Sequence, residues 1–323
     1  MPLDEPSLAR ARDALSAVRA EVRKAVVGQD TVVDEVLTAM LAGGHVLIEG
    51  VPGLGKTLLV KALARTFDGT FARIQFTPDL MPADVVGHTL FDANGQFVTR
   101  PGPVFTHLLL ADEINRAPAK TQSALLEVMQ ERQVTLEGTA MRVPEPFMVL
   151  ATQNPIEQEG TYPLPEAQLD RFLLKVRIDF PGEADELRLT QQVTAGKVGG
   201  DLVVDAVATL MQPSALAGLQ SASAQVEVDA RVLGYAVAIV RATRARPGIA
   251  IGAGPRGSIA MVRAGRARAL MAGRAYVTPD DVKDVALPAL RHRIAASADA
   301  EIEGLSVDSL LLSLLDTIPA PRS

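Results

Sequence analysis

The chain has 323 residues, 48% of them hydrophobic and 22% charged, with a formal net charge of −6 and no cysteine. That length suits two folding units with a full apolar core, and the lack of thiols excludes disulfides and thiolate metal sites. The acidic balance and an aromatic content of 4% argue against a broad nucleic-acid-binding surface.

The N-terminal stretch carries early acids and no apolar signal core. No later segment approaches the roughly 18 uninterrupted apolar residues of a membrane span, so the expected location is the cytoplasm. The four histidines, His45, His88, His107 and His292, lie far apart without ligand-like spacing.

Residues 7–26 set Ala, Leu and Val against Arg and Glu at helical spacing; Val27-Gly28-Gln29 interrupts the pattern, and residues 31–41 resume it. This predicts a helix pair ahead of the first strand. HVLIEG (45–50) then reads as a strand, and TLLVKALARTF (57–67) as a helix with apolar residues three and four apart. Further strands are expected at FARIQF (71–76), HLLLAD (107–112), FMVLAT (147–152) and FLLKVRI (172–178), with a helical pattern at 119–132.

Near-continuous apolar strands alternating with helices predict a parallel five-stranded sheet covered on both faces. Two segments break the alternation: residues 88–102, with Asn94-Gly95 as a turn signal, and residues 133–143, turning at Glu137-Gly138. Both read as inserted β-hairpins. Beyond residue 182 the pattern holds only helix-like runs punctuated by Gly and Pro, so the expected division is an α/β core over 1–182 and an all-helical domain over 183–323.

Gly50 to Thr57 satisfies G-x-x-x-x-G-K-[ST] between a strand and a helix, the context in which such a loop cradles phosphates. Glycines at 50, 53 and 55 let backbone amides turn inward around phosphate oxygens, and the helix start adds unpaired amides. Gly50, Pro52, Gly53, Leu54, Gly55, Lys56, Thr57 and Leu58 are the expected nucleotide contacts, with Lys56 at the terminal phosphates and Thr57 on Mg²⁺. The strand ending in Asp112-Glu113 lies where ligand sites open in α/β sheets. Asp112 is expected to hold Mg²⁺, and Glu113 to polarise an attacking water. Taken separately, a glycine-rich turn that binds nothing and a pair of solvated acids are the competing readings.

Together GVPGLGKT, LLLADEINRAP, ATQNP and LPEAQLDRF resemble the AAA+ ATPases, and within them the MoxR family, over nearly the whole chain. The resemblance implies a P-loop NTPase core whose two hairpins are those of that branch, followed by a helical lid. It makes Asn154 the first sensor, Arg171 an arginine finger serving the neighbouring subunit's ATP, and Arg256 a second sensor reaching the phosphates from the lid. Val27 and Gly28 would lie beside the adenine. Each has a plainer alternative: an Asn before Pro forms turns, Asp170-Arg171 could be a surface pair, and Gly28 could only punctuate helices. The other arginines between 241 and 274 read as solvated helix faces and subunit contacts.

A finger acting in trans implies a homo-oligomeric ring, expected to be a hexamer. The family further implies ATP and Mg²⁺ as ligands and protein clients, often with von Willebrand factor A domains. A nucleotide-dependent scaffold with little turnover is the first alternative, disfavoured because Glu113, Asn154 and Arg171 are all present. A nucleic-acid motor is the second, disfavoured because Arg100 and Arg142 are the only arginines or lysines in the two hairpins.

Overall fold

In chain order the strands of the N-terminal half are β1 (Val46–Glu49), β2 (Phe71–Gln75), the hairpin β3 (Gly87–Phe91) and β4 (Phe97–Pro101), β5 (Leu108–Asp112), the hairpin β6 (Gln133–Leu136) and β7 (Thr139–Arg142), β8 (Met148–Gln153) and β9 (Leu174–Arg177). The structure is a computed structural model and describes residues 4–51, 53–91, 97–154, 160–194 and 204–321. β1, β2, β5, β8 and β9 form one sheet in the order β2-β5-β8-β1-β9, every neighbouring pair parallel.

Successive residues of a strand point to opposite faces, and here that alternation divides the apolar core in two. Val46, Ile48, Leu108, Leu110, Met148 and Leu150 enter one buried cluster; Leu47, Leu109, Ala111, Val149 and Ala151 enter another on the opposite face. Burial on both faces explains why these strands read as continuous apolar runs.

Helices α1 (Glu5–Ala25), α2 (Asp30–Leu41) and α3 (Lys56–Thr66) contribute to the first cluster; α4 (Pro82–Val86) and α5 (Ala119–Glu131) contribute to the second, and α6 (Glu166–Leu169) leads into β9. α1 starts where the Asp4 carboxylate accepts the Ser7 amide at 3.0 Å. It buries Leu8, Ala11, Leu15, Val18, Val22 and Ala25, a stripe at helical spacing.

Both expected hairpins are present and antiparallel. The second turns through Glu137 at φ 46° and Gly138 at φ 79°, the doubly positive pattern of a tight two-residue turn. The Asn94-Gly95 turn of the first lies outside the described residues.

The C-terminal part holds α7 (Glu183–Thr194), α8 (Pro213–Gln225), α9 (Ala230–Thr243), α10 (Pro255–Met271), α11 (Pro279–Asp284), α12 (Ala286–Leu290), α13 (Ala298–Ile302) and α14 (Val307–Leu315). It also carries a ribbon of β10 (Ile249–Ile251) and β11 (Ala295–Ala296), which qualifies the all-helical expectation; strands this short leave no period in the sequence. Ile239, Leu270 and Leu290 of these helices share one buried cluster with Val22, Val36 and Ile48, so the helical part and the sheet are packed around common apolar surface. Among the described residues no helix is long and apolar enough to cross a membrane.

One charge sits awkwardly at this seam. Glu35 on α2 is half-buried, and burial pushes its carboxyl up from 4.5 to about 7, with Arg291 and Arg268 pulling the other way. Between pH 4.5 and about 7 the folded chain therefore keeps a proton that the unfolded chain gives up, and stability falls as pH rises through that window. Glu35→Gln is expected to stabilise the protein by up to about 3 kcal/mol near pH 8 and hardly at all near pH 4. Urea denaturation at the two pH values measures this; equal effects at both would count against a protonated Glu35.

Candidate functional site

The phosphate-type loop leaves β1 at Gly50. A Cβ there would lie 2.3 Å from Ile178 Cγ2 and 2.5 Å from the Ile178 carbonyl oxygen, so only glycine lets the loop pass β9 so closely. Gly53 and Gly55 take φ of +86° and +78°, with open space around both. Gly55 is the N-cap of α3 and supplies no side-chain cap, so the first amides of that helix stay available to an anion.

A cavity of about 360 Å³ opens over this loop. Its lining takes in Gly50, Gly53, Gly55, Lys56, Thr57 and Leu58 from the loop and α3, Asp112 and Glu113 from the end of β5, and Asn154 after β8. Leu54 packs partly buried against the core, and Pro52 lies outside the described residues. Lys56 Nζ donates to the Gly50 carbonyl at 2.5 Å. Burial draws its pKa down while Asp112 and Glu113 oppose the shift.

The two acids are held by residues that the sequence reading did not single out. Thr152 Oγ1 accepts the Glu113 amide at 2.8 Å and donates to Asp112 Oδ1 at 2.6 Å, bracing both acids against β8. Arg73 donates to Asp112 Oδ2 from Nη2 at 2.6 Å, and Gln75 Nε2 donates to Glu113 Oε2 at 2.7 Å. Arg116 pairs with the same Oε2 at 3.1 Å. Glu113 itself sits at φ 56°, ψ 50°, a left-handed backbone uncommon outside glycine. Arg73 and Gln75 occupy alternate positions of β2, and period-2 polarity at that strand's end was the available signal.

The donor set fits a hard, small cation. Thr57 offers a hydroxyl and Asp112 a carboxylate, and no group of three or more His, Cys, Asp or Glu able to hold a metal exists among the described residues. Mg²⁺ needs no such cage, since it keeps waters and takes phosphate oxygens as ligands. The bare glycine loop and the free helix amides suit a triphosphate.

Arg171 and Arg256 lie elsewhere. Both line a second cavity of about 380 Å³, together with Arg132, Arg263 and Arg293. Arg171 Nη1 donates to the Leu126 carbonyl of α5 at 2.7 Å. Arg256 Nη1 lies 3.5 Å from Asp170 Oδ2, and its side chain is 57% exposed. Arg256, expected to approach the phosphates from the lid, does not line the cavity over this chain's glycine loop. α10 packs on α1 and α2 and carries its N-terminal end to the turn at 170–173 instead. Val27 and Gly28 are not part of the first cavity's lining either. A Cβ on Gly28 would lie 2.7 Å from Asp185 Cβ, and Gln29 Nε2 donates to the Asp179 carbonyl at 2.8 Å, so this segment packs against the strand-to-lid connection.

Comparison with known proteins agrees with this geometry. A model of the ATPase family associated with various cellular activities (AAA) matches residues 45–174, and an AAA lid domain matches residues 241–311. Chaperone MoxR1 of Mycobacterium tuberculosis is 43% identical over 94% of this chain and 81% of its own length. YeaC of Bacillus subtilis is 42% identical over 93% and 92%, and the MoxR protein of Methylorubrum extorquens 34% over 96% of each. The crystal structure of a provisionally assigned ATPase from Cytophaga hutchinsonii matches with a TM-score of 0.89 and 40% identity, covering 98% of this chain and 97% of that one.

Proposed function

The chain belongs to the MoxR family of AAA+ ATPases, and on that premise we propose that it hydrolyses ATP with Mg²⁺ at the subunit junctions of a homo-oligomeric, six-membered ring. The observation that carries the reading is the meeting of the glycine loop, Lys56, Thr57, Asp112, Glu113 and Asn154 around one cavity. We place the catalytic core at 1–182 and the lid at 183–323.

Within the core, loop amides and Lys56 bind the phosphates. Thr57 and Asp112 are the residues that would hold Mg²⁺, which when bound neutralises charge on the phosphates. Thr152 and Arg73 fix the Asp112 carboxylate, while Gln75 and Arg116 fix Glu113 through Oε2. Glu113 then polarises the attacking water and Asn154 orients it toward the γ-phosphate. Arg171 faces a cavity other than its own chain's phosphate site, which supports its action on the neighbour's ATP; Arg256, in that same cavity, joins it there as a second cation.

The motion driven by hydrolysis would remodel protein partners, a role supported by the chaperone name of the tuberculosis relative and extended here to clients with von Willebrand factor A domains. The first test is phosphate release from ATP, which should fall to background when EDTA removes Mg²⁺ and return with excess Mg²⁺. Turnover that persists in EDTA would remove Thr57 and Asp112 from these roles.

A further inference from the structure

We propose that Arg293, a buried lid residue, positions the arginine finger: it fixes the turn that presents Arg171 to the next protomer, so that the lid of one subunit governs hydrolysis in its neighbour. This rests on the reading above in which Arg171 acts across the junction.

Arg293 follows α12, and its side chain is only 4% exposed. Its Nε donates to Asp170 Oδ1 at 2.7 Å. Its Nη2 donates to the Phe172 carbonyl at 2.6 Å and the Asp170 carbonyl at 3.3 Å, and its Nη1 donates to the Leu173 carbonyl at 3.1 Å and to that of Ala289. A guanidinium has five N–H donors in a rigid fork, and these five acceptors match them. Burying such a charge is costly unless its donors are paired, and here four of the five pairings are spent on the residues flanking Arg171.

The two residues before Arg293 extend the same seam. His292 Nε2 donates to the Phe172 carbonyl at 3.1 Å, its ring kept neutral because burial, with Arg293 beside it, pulls its pKa well below the ordinary value. Arg291 Nη1 donates to the Lys175 carbonyl at 3.2 Å. Residues 291–293 of the lid thus run along residues 170–175 of the core. Asp170 closes the link, since its carboxylate takes Arg293 on Oδ1 and faces Arg256 of α10 on Oδ2 at 3.5 Å. A shift of the lid must carry the backbone on both sides of Arg171 with it. Misplacement of a catalytic group by about 1 Å can cost on the order of 10²-fold in rate.

A residue that merely holds the fold together would lower activity in every subunit that lacks it. A positioning residue for a finger acting in trans harms only the junction to which its own subunit lends the finger. Arg293→Gln rings are therefore expected to bind a fluorescent ATP analogue as wild type does while kcat falls about 10- to 100-fold. Mixed with Lys56→Ala subunits, they should regain turnover at junctions that pair an intact pocket with an intact finger. Arg171→Ala mixed with Lys56→Ala is the reference.

If the reference pair recovers and the Arg293→Gln pair does not, Arg293 acts on its own pocket and the proposal falls while the trans finger stands. If the reference pair fails to recover in rings shown to hold both subunits, the trans finger falls and takes the proposal with it. An unchanged kcat in Arg293→Gln also overturns it. Should Arg293→Gln not fold, Asp170→Asn, at a partly exposed side chain, removes the ion pair and is judged by the same outcomes.

Discussion

Replacing Arg171 with alanine is expected to slow phosphate release by about 10³- to 10⁵-fold while leaving affinity for ATP within a few-fold of wild type. Affinity survives because Arg171 does not line the cavity of the glycine loop; it lines the second one, beside Arg256. Rate does not survive, because a guanidinium keeps its charge throughout and can neutralise what builds up on the γ-phosphoryl as the bond breaks. The fold should tolerate the change, since the side chain's hydrogen bond is one to the Leu126 carbonyl, worth about 1 kcal/mol. Phosphate release and titration with a fluorescent ATP analogue measure the two quantities separately. Turnover within tenfold of wild type would end the finger assignment.

Glu113→Gln should cut turnover by about 10² to 10⁴-fold and yet hold ATP as firmly as the wild type or more so. The amide keeps the shape of the carboxylate and can still accept from Gln75 through its oxygen, and the brace from Thr152 reaches the backbone of residue 113, which the substitution leaves alone. What it loses is the negative charge that draws a proton from water, and with that charge some repulsion toward phosphates. The purified variant should retain ATP through gel filtration. Rapid loss of nucleotide would mean that Glu113 serves binding instead of hydrolysis.

Much of this was legible in the sequence where the physics is local. Apolar strands buried on both faces wrote themselves as runs such as VLI and LLLA, and the loop at 50–57 needs its glycines for reasons of backbone shape and close passage that any chain would share. The partners of the acids were not legible, because they depend on which strands become neighbours. Only the pairing of β2 with β5, which sets Gln75 opposite Asp112, brings Arg73 to that carboxylate, and only the β5 to β8 pairing brings Thr152 there. Arg256 shows the same limit at a larger scale. The family motif assigned it to the helical lid, but its destination beside Arg171 depends on how the lid docks on α1 and α2.

The hydroxyl of Thr152 has an implication for anyone borrowing this site. Asp112 and Glu113 owe their aim to bonds from the strands on both sides, Thr152 on one and Arg73 and Gln75 on the other, and to a left-handed bend at Glu113. Grafting the Asp-Glu pair alone onto another parallel sheet would carry over the functional groups without the means of pointing them. The smallest transplantable unit is the three adjacent strand ends of β2, β5 and β8 together, with Arg73, Gln75 and Thr152 included.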